Sequence, residues 1–389
     1  TLLGFEAPAT TLSGDAEMQV DLLWQARGIP PEEYRSMVLL MDAQDRAWSS
    51  GGSFRPRGYE PAPPTTMWLP GDYAYDPHII TPLPGVPPGD YRVVTALFDK
   101  ETLTPASVLG PAGDPQGHDL TLGTVRVTRP AQVPGLADLD VSPEATMQAC
   151  GALGLWSMEI DREQAAPGDL VAVRWVWERL DESNGEAWTS AQLTLRDASG
   201  NVAREWELPP SAAWWPVTAW RAGERWVGRH VVRLPGGLSD QRYTLAVSGP
   251  ACELPLAEAA LVVTPPERSW AVPASLYSAD AVFADKLALP GYQITPAPSA
   301  SAIQPGESVK VTLAWQALGE MAESYHVFVH LRDEAGRMVA QDDGVPAGWT
   351  RPTTGWAPGE VVVDERRIAL PREMAPGAYT LHVGWYLPE

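Results

Sequence analysis

Histidine and carboxylate side chains are the first candidates for chemistry in this sequence. His326 and His330 lie four residues apart with Asp333 nearby, a spacing that on a helix would suggest a metal site. The residues around them alternate as in a strand, however, and on a strand the two imidazoles would lie about 13 Å apart. Joint ligation of one ion is therefore not expected, and we predict no metal or other cofactor.

Paired acidic residues offer a second route to catalysis. Asp342 and Asp343 could face Asp333 or Glu334 across a hairpin, as the two carboxylates of a glycosidase do. Such neighbours arise often in an acidic, turn-rich chain. The sequence also lacks a Gly-x-Ser-x-Gly elbow, a phosphate loop and a dinucleotide fingerprint. We therefore predict that the protein is not an enzyme.

Tryptophans are the more serious candidates for a binding surface. Many β-sandwiches hold sugar rings on exposed aromatic faces. Trp214 and Trp215 lie in a Trp-rich region and have no counterparts in the repeats described below. This pair is our candidate ligand surface, and polysaccharide is the candidate ligand.

The two cysteines, Cys150 and Cys252, fall near the two ends of the middle repeat. A bridge between them would close a loop of about 100 residues, stabilise that repeat by up to about 4 to 5 kcal/mol, and imply an oxidising compartment. The alternative is two unpaired buried thiols. We predict the bridge.

Composition narrows the classes of fold and partner. The chain has 39 prolines and 34 glycines in 389 residues, which favours many short segments and excludes long helices. Residues 31–41 and 257–263 come nearest to a helical pattern, and they could be loops or strands. The net charge of −21 argues against nucleic acid, since phosphate backbones are bound by basic patches. No apolar stretch is long enough for membrane insertion, and no signal peptide is visible.

A five-residue box, Trp-x-x-Gly-Asp/Glu, occurs three times and gives the strongest internal repeat. A Tyr-x-Leu/Val strand follows each box, and 23 residues separate the box Trp from that Tyr in every case. Recurrence in all three units favours a shared packing role over ligand binding. The three pairs are Trp68 with Tyr91, Trp220 with Tyr243, and Trp356 with Tyr379.

Alternating residues around each box predict short antiparallel strands. Residues 171–177 (VAVRWVW) and 309–315 (VKVTLAW) alternate after a Gly-Asp or Gly-Glu turn, and hairpin turns begin at Asp197 and Asp333. About seven strands per unit predict an all-β fold of three tandem immunoglobulin-like antiparallel β-sandwiches. The predicted domains are residues 1–133, 141–266 and 280–389. Proline-bearing linkers at 129–135 and 264–268 would be semi-rigid, and we expect an elongated rod.

The third unit differs from the others at its end. Units one and two finish with a strand at 122–128 and 260–264, whereas the chain stops soon after the strand at 379–386. We therefore expect the third sandwich to lack its last strand. An open edge invites strand addition, so either the natural chain continues or another subunit supplies the strand. Because Thr1 is not an initiator methionine, we expect a mature or excised piece of a longer protein.

Four segments of unit three carry a family resemblance: 325–333 (YHVFVHLRD), Pro352 with Thr353, the Trp356 box, and 376–384 (PGAYTLHVG). The unit resembles immunoglobulin-like or fibronectin-III-like modules found in tandem on bacterial surface proteins. In detail it resembles the C-terminal extracytoplasmic repeats of large bacterial membrane proteins whose N-terminal part is a multi-spanning glycosyltransferase-like region. The resemblance covers unit three well and the other units more loosely. Since no transferase region is present, it implies no catalytic activity.

The leading functional prediction is a non-catalytic structural or interaction protein, extracytoplasmic, on a cell surface or an exported membrane protein. Its expected partners are neighbouring domains or subunits, which could bind at the open edge of unit three. One alternative is a subunit of an extracellular filament or surface layer completed by strand donation. Another is a carbohydrate-binding array.

Overall fold

The computed structural model describes residues 1–7, 9–51, 64–181, 188–250, 252, 255–297 and 303–388. Short strands make up nearly all of its regular structure, and the longest helical segment in this part of the chain is the four-residue turn Pro346–Trp349. The predicted all-β class is confirmed. Six sheets form three pairs, which we call unit 1 (residues 2–128), unit 2 (148–263) and unit 3 (277–386).

Unit 1 has two four-stranded sheets, with strand orders β1-β3-β6-β5 and β2-β8-β7-β4. All pairs are antiparallel except β2 with β8, which is parallel. Residues 31–41, left open between loop and strand, contain β4. The strands are β1 (Leu2–Glu6), β2 (Thr11–Ser13), β3 (Met18–Gln25), β4 (Tyr34–Met41), β5 (Ser49–Gly51), β6 (Tyr73–Pro82), β7 (Gly89–Asp99) and β8 (Asp119–Thr128).

Unit 2 repeats this plan with orders β15-β12-β10-β9 and β11-β17-β16-β13-β14. Again one short strand, β11, pairs in parallel with the last strand, β17. Residues 257–263 are therefore a strand. The strands are β9 (Gln148–Cys150), β10 (Leu153–Ile160), β11 (Gln164–Ala165), β12 (Leu170–Arg179), β13 (Ala191–Arg196), β14 (Val202–Leu208), β15 (Arg225–Arg233), β16 (Gln241–Ser248) and β17 (Ala257–Val263).

Unit 3 has a four-stranded sheet, β18-β19-β20-β23, and a three-stranded sheet, β22-β21-β24. Among the described residues, β24 pairs with β21 on one side only, whereas its counterparts β7 and β16 are flanked on both sides. The strands are β18 (Tyr277–Phe283), β19 (Leu287–Thr295), β20 (Ser308–Ala317), β21 (His326–Arg332), β22 (Met338–Gly344), β23 (Val361–Ala369) and β24 (Thr380–Tyr386).

The cores follow from the period-two pattern of the strands. In β12, Val171, Val173, Trp175 and Trp177 point between the two sheets of unit 2 and are at most 1% exposed. Full burial of one such apolar side chain contributes roughly 1.5–3 kcal/mol. Each unit has its own cluster of this kind, and the cluster of unit 1 also takes in residues of unit 2.

Candidate functional site: the box turns, the junctions and the open edge

The three boxes fold into the same turn. In unit 3 a single turn of 3-10 helix, Thr353–Gly355, leads into Trp356, which is fully buried, and Gly359 adopts a φ of +86°. The Glu360 carboxylate accepts the backbone N–H of Ala357 at 2.9 Å. Units 1 and 2 repeat the bond, from Leu69 N–H to Asp72 at 2.8 Å and from Arg221 N–H to Glu224 at 2.9 Å.

The recurring tyrosines have a common structural role. The hydroxyl of Tyr91 donates to the carbonyl of Pro87 at 2.6 Å, and that of Tyr379 donates to the carbonyl of Ala375 at 2.7 Å. The Tyr243 hydroxyl accepts the N–H of Ser239 at 3.1 Å. Each bond spans four residues and fixes the loop that precedes the strand.

Unit 1 and unit 2 meet at an apolar junction. Val176 and Val227 lie opposite each other on the outer face of unit 2 and are at most 2% exposed, because they pack into the core cluster of unit 1. Leu139, in the connection between the units, is fully buried in the same cluster. Gly85 has no room for a Cβ, which would lie 2.7 Å from a methyl of Val227. The two units therefore share a continuous packed core.

The same junction covers the edge of a sheet. Strand β15 is the outermost strand of its sheet, so in the described part of the chain no strand of unit 2 pairs with its outward side. The Val227 N–H donates to the Gly85 carbonyl at 3.1 Å, and the Arg229 carbonyl accepts from the Arg46 guanidinium. Unit 1 thus satisfies two backbone groups at this edge, and within unit 2 the Ser211 hydroxyl donates to the Val227 carbonyl at 2.8 Å.

The junction between units 1 and 2 and the junction between units 2 and 3 each contain an ion pair between a linker arginine and a box carboxylate. Arg129 bonds Glu224 at 3.1 Å, and Arg268 forms an ion pair with Glu360, which is fully buried and also binds Arg351. Asp72, the equivalent carboxylate of unit 1, is exposed. In units 2 and 3, the box carboxylate therefore has two roles: it closes its own turn, and it binds an arginine of the preceding linker.

One loop position distinguishes the units. Leu-Pro-Gly occurs at 83–85 and 234–236, and neither Gly85 nor Gly236 could carry a Cβ without a clash, with Val227 in one case and with the carbonyl of Trp356 in the other. Unit 3 has Leu-Pro-Arg at 370–372, and Arg372 is exposed. The glycine thus marks a loop on which another unit packs.

The candidate ligand surface, Trp214 and Trp215, lies at the first junction. Trp214 makes an edge-to-face contact with Tyr91 of unit 1, with ring centroids 6.2 Å apart. Trp215 packs edge-on against Trp226 at 5.5 Å, and the Arg129 guanidinium lies 4.7 Å from its ring centroid. Both rings are partly buried by these contacts. Sugar stacking on this pair stays a prediction, and it would compete with the junction.

The predicted bridge between Cys150 and Cys252 is confirmed. The two residues are 102 positions apart in sequence, and their Cα atoms lie 5.8 Å apart. Cys150 ends β9, and Cys252 follows β16, so the bridge ties the start of unit 2 to the strand that carries Tyr243.

The edge of unit 3 leaves part of its core uncovered. In unit 2, strand β16 pairs with β17 along one side, and three of its core side chains are at most 3% exposed. They are Tyr243, Leu245 and Val247. The equivalent residues of unit 3, namely Tyr379, Leu381 and Val383, are only partly buried. Leu245 and Leu381 occupy the same register, opposite Leu195 and Leu331. The difference follows from β17, which flanks β16 and has no counterpart beside β24 among the residues that the structure describes.

The residues considered for metal binding or acid–base chemistry are dispersed. His326 contacts the rings of Trp349 and Tyr386, whereas His330 lies 3.2 Å from the Asp343 carboxylate. Asp333 closes its own hairpin turn by accepting the N–H of Arg337 at 2.9 Å. Within the described ranges, no group of three or more His, Cys, Asp or Glu side chains is placed to hold a metal ion.

Sequence reasoning missed a pair of buried positions, eight and ten residues after each box Trp, at which five of the six residues are polar. They hold Asp76 and His78 in unit 1, Gly228 and His230 in unit 2, and Asp364 and Arg366 in unit 3. Desolvation lowers the pKa of His230 to about 4, and desolvation raises the pKa of Asp364. The spacing from the Trp was the signal that could have identified them.

The comparisons with known proteins add no relative. No protein-family model matches the chain, and no curated protein matches it. In the part of the chain that the structure describes, no helix is long and apolar enough to cross a membrane.

Proposed function

We propose that the chain is a non-catalytic structural and interaction protein of the extracytoplasmic space, an array of immunoglobulin-like modules held in fixed relative positions. The observation that carries this proposal is the first junction, where Val176, Val227 and Leu139 are buried in the core of unit 1. Separating the units would expose all three side chains, at roughly 1.5–3 kcal/mol each. Domains that are joined only by flexible linkers have no such shared core.

Strand order and the tyrosine loops support the immunoglobulin-like assignment. In unit 1, β1-β3-β6-β5 matches the order A-B-E-D of that fold, and β8-β7-β4 matches G-F-C. The Tyr91 hydroxyl bonds back to the chain just before strand F, as in a tyrosine corner. The Cys150–Cys252 bridge supports an oxidising, extracytoplasmic location.

A spin-label distance measurement tests the fixed arrangement. Labels at Thr124→Cys in β8 and Glu205→Cys in β14 place one probe on each of the first two units, at exposed positions. The proposal predicts one narrow distance distribution. Leu139→Asp should broaden it, because the charge cannot be buried in the junction. Val133→Asp is the matched control, since Val133 lies in the same connection and is 46% exposed. A broad distribution in the parent protein would contradict the proposal.

A second candidate function rests on β24, which among the described residues has no neighbour where β7 and β16 have β8 and β17. In this alternative a second copy of the chain donates a strand there, and the protein assembles into a filament or surface layer. Hydrogen exchange at two protein concentrations tests it. Strand donation requires the backbone amides of residues 380–386 to exchange more slowly at the higher protein concentration. The amides of β16 should exchange at the same rate at both concentrations. Unchanged β24 exchange in a sample that stays monomeric by light scattering would rule it out.

A further inference from the structure

A groove of about 410 Å³ lies on the outer face of unit 2, beside the first junction. Its floor is formed by β10, β12 and β15, and a hairpin of unit 1 forms one wall. The charged residues that line it are Arg46 from unit 1 and Glu159, Asp161, Arg174 and Arg229 from unit 2.

Two of the three arginines have carboxylate partners. The Nε of Arg46 bonds the Asp42 carboxylate at 2.7 Å, and the Nη1 of Arg174 lies 3.6 Å from Glu159. That Nη1 atom is buried and makes no hydrogen bond among the described residues. Asp161 is engaged elsewhere, since its carboxylate bonds the guanidinium of Arg162 at 2.6 Å.

Arg229 is the exception. Among the described residues it has no carboxylate within ion-pair distance; its guanidinium donates to the Ala47 carbonyl and lies 5.4 Å from the ring centroid of Trp48. Desolvation, and then repulsion by Arg174 and Arg46, lower the pKa of Arg229. A half-buried cation beside two like charges is costly unless an anion compensates it. In a chain with a net charge of −21, a groove lined by three arginines and two carboxylates is a local exception.

We propose that this groove binds an oxyanion against Arg229 and Arg174. Planar guanidinium groups bind carboxylate, sulfate and phosphate oxygens through paired N–H donors. The groove volume lies within the range of small-ligand sites. Glu159 and Asp161, which also line the groove, disfavour a highly charged polyanion, so the occupant is a small oxyanion or a single acidic group carried on a larger molecule. Because units 1 and 2 both line the groove, the bound anion stabilises the junction.

Calorimetric titration of the intact chain tests this site. Sulfate, phosphate and glucuronate are compared with chloride at constant ionic strength. Arg229→Gln and Arg174→Gln should each weaken oxyanion binding at least tenfold. Arg204→Gln removes an exposed arginine on β14 and should leave binding unchanged. Tighter binding of glucuronate than of sulfate or phosphate would assign the oxyanion to an acidic sugar, and the reverse order would assign it to an inorganic ion.

A second readout separates loss of the site from loss of the fold. The melting temperature of the parent protein should rise with sulfate relative to chloride, and that increment should vanish in Arg229→Gln whatever its baseline stability. Absence of any oxyanion response in the parent protein would overturn the proposal. An equal response in Arg229→Gln and Arg204→Gln would overturn it as well.

Discussion

Strands β16 and β24 occupy the same place in their sandwiches, yet one is buried and the other is half-open. Each has a tyrosine near its start that bonds four residues back, Tyr243 within β16 and Tyr379 just before β24, and both place a leucine opposite a leucine of the neighbouring strand. Within the described ranges, only β16 of these two strands has a second neighbour, β17. Burial at this position is therefore set by what lies beside the strand.

The box carboxylates also differ in burial from one unit to another, although they close the same turn. Glu360 is fully buried because Arg268 and Arg351 both reach it, whereas Asp72 makes the same turn and is exposed. The local motif fixes the turn, and the arginines that reach it, one from the linker and one from unit 3 itself, accompany burial of the carboxylate.

The largest expected effect comes from the disulfide, which ties unit 2 alone. Replacing both Cys150 and Cys252 by alanine should lower the local free energy of unfolding of unit 2 by up to about 4–5 kcal/mol, because the unfolded loop gains entropy. Hydrogen exchange of the β16 amides measures this loss. Amides of β20 in unit 3 are the control and should not change.

The second largest loss of stability is expected on replacing Glu360, the buried box carboxylate of unit 3. Glu360→Gln leaves two arginines without their counter-charge and should cost about 3–5 kcal/mol. Asp72→Asn keeps the turn bond at an exposed site and should cost less than about 1 kcal/mol. Chemical denaturation of the two variants side by side compares them. Similar losses would show that Arg268 and Arg351 do not contribute.

Leucine truncation in the two equivalent strands gives the direct contrast. Leu245→Ala should cost about 2–5 kcal/mol, since it leaves a cavity in a closed core. Leu381→Ala should cost less than about 2 kcal/mol, because its side chain is already partly in water. Exchange of the β16 and β24 amides reports each loss. A larger cost in β24 would refute our reading of the open edge.

Acid should distinguish unit 2 from unit 3 by the sign of its effect on stability. His230 has a folded-state pKa of about 4, below its ordinary value of 6.5, so the unfolded chain takes up the proton first. Unit 2 should lose about 1.4 kcal/mol per pH unit as pH falls from about 6.5 to 4. In unit 3, burial raises the pKa of Asp364, so acidification through that pKa adds stability there. His230→Gln should remove the acid sensitivity of unit 2 in pH-dependent unfolding.

Much of the architecture could be predicted from local pattern. Alternating residues identified β12 and β20, the Trp-to-Tyr spacing identified the repeat, and the positions of Cys150 and Cys252 identified the bridge. These features depend on neighbours within one unit, where the two-residue period of a strand and turn chemistry apply.

The junctions could not be predicted in the same way. Leu139 and Gly85 meet Val227 only because the connection folds back between two units, and no periodicity encodes that path. Trp214 and Trp215 were singled out as unmatched residues, but the partners that partly bury them, Tyr91 and Arg129, lie in unit 1 and in the connection.

Exchange of the Val227 amide tests the fixed array most directly. This N–H belongs to an edge strand, and its acceptor is the Gly85 carbonyl of the neighbouring unit, so only a closed junction protects it. We predict that it exchanges as slowly as the paired amides of β12. Exchange at the rate of an exposed amide, with β12 still protected, would show that the units separate freely and would contradict the account.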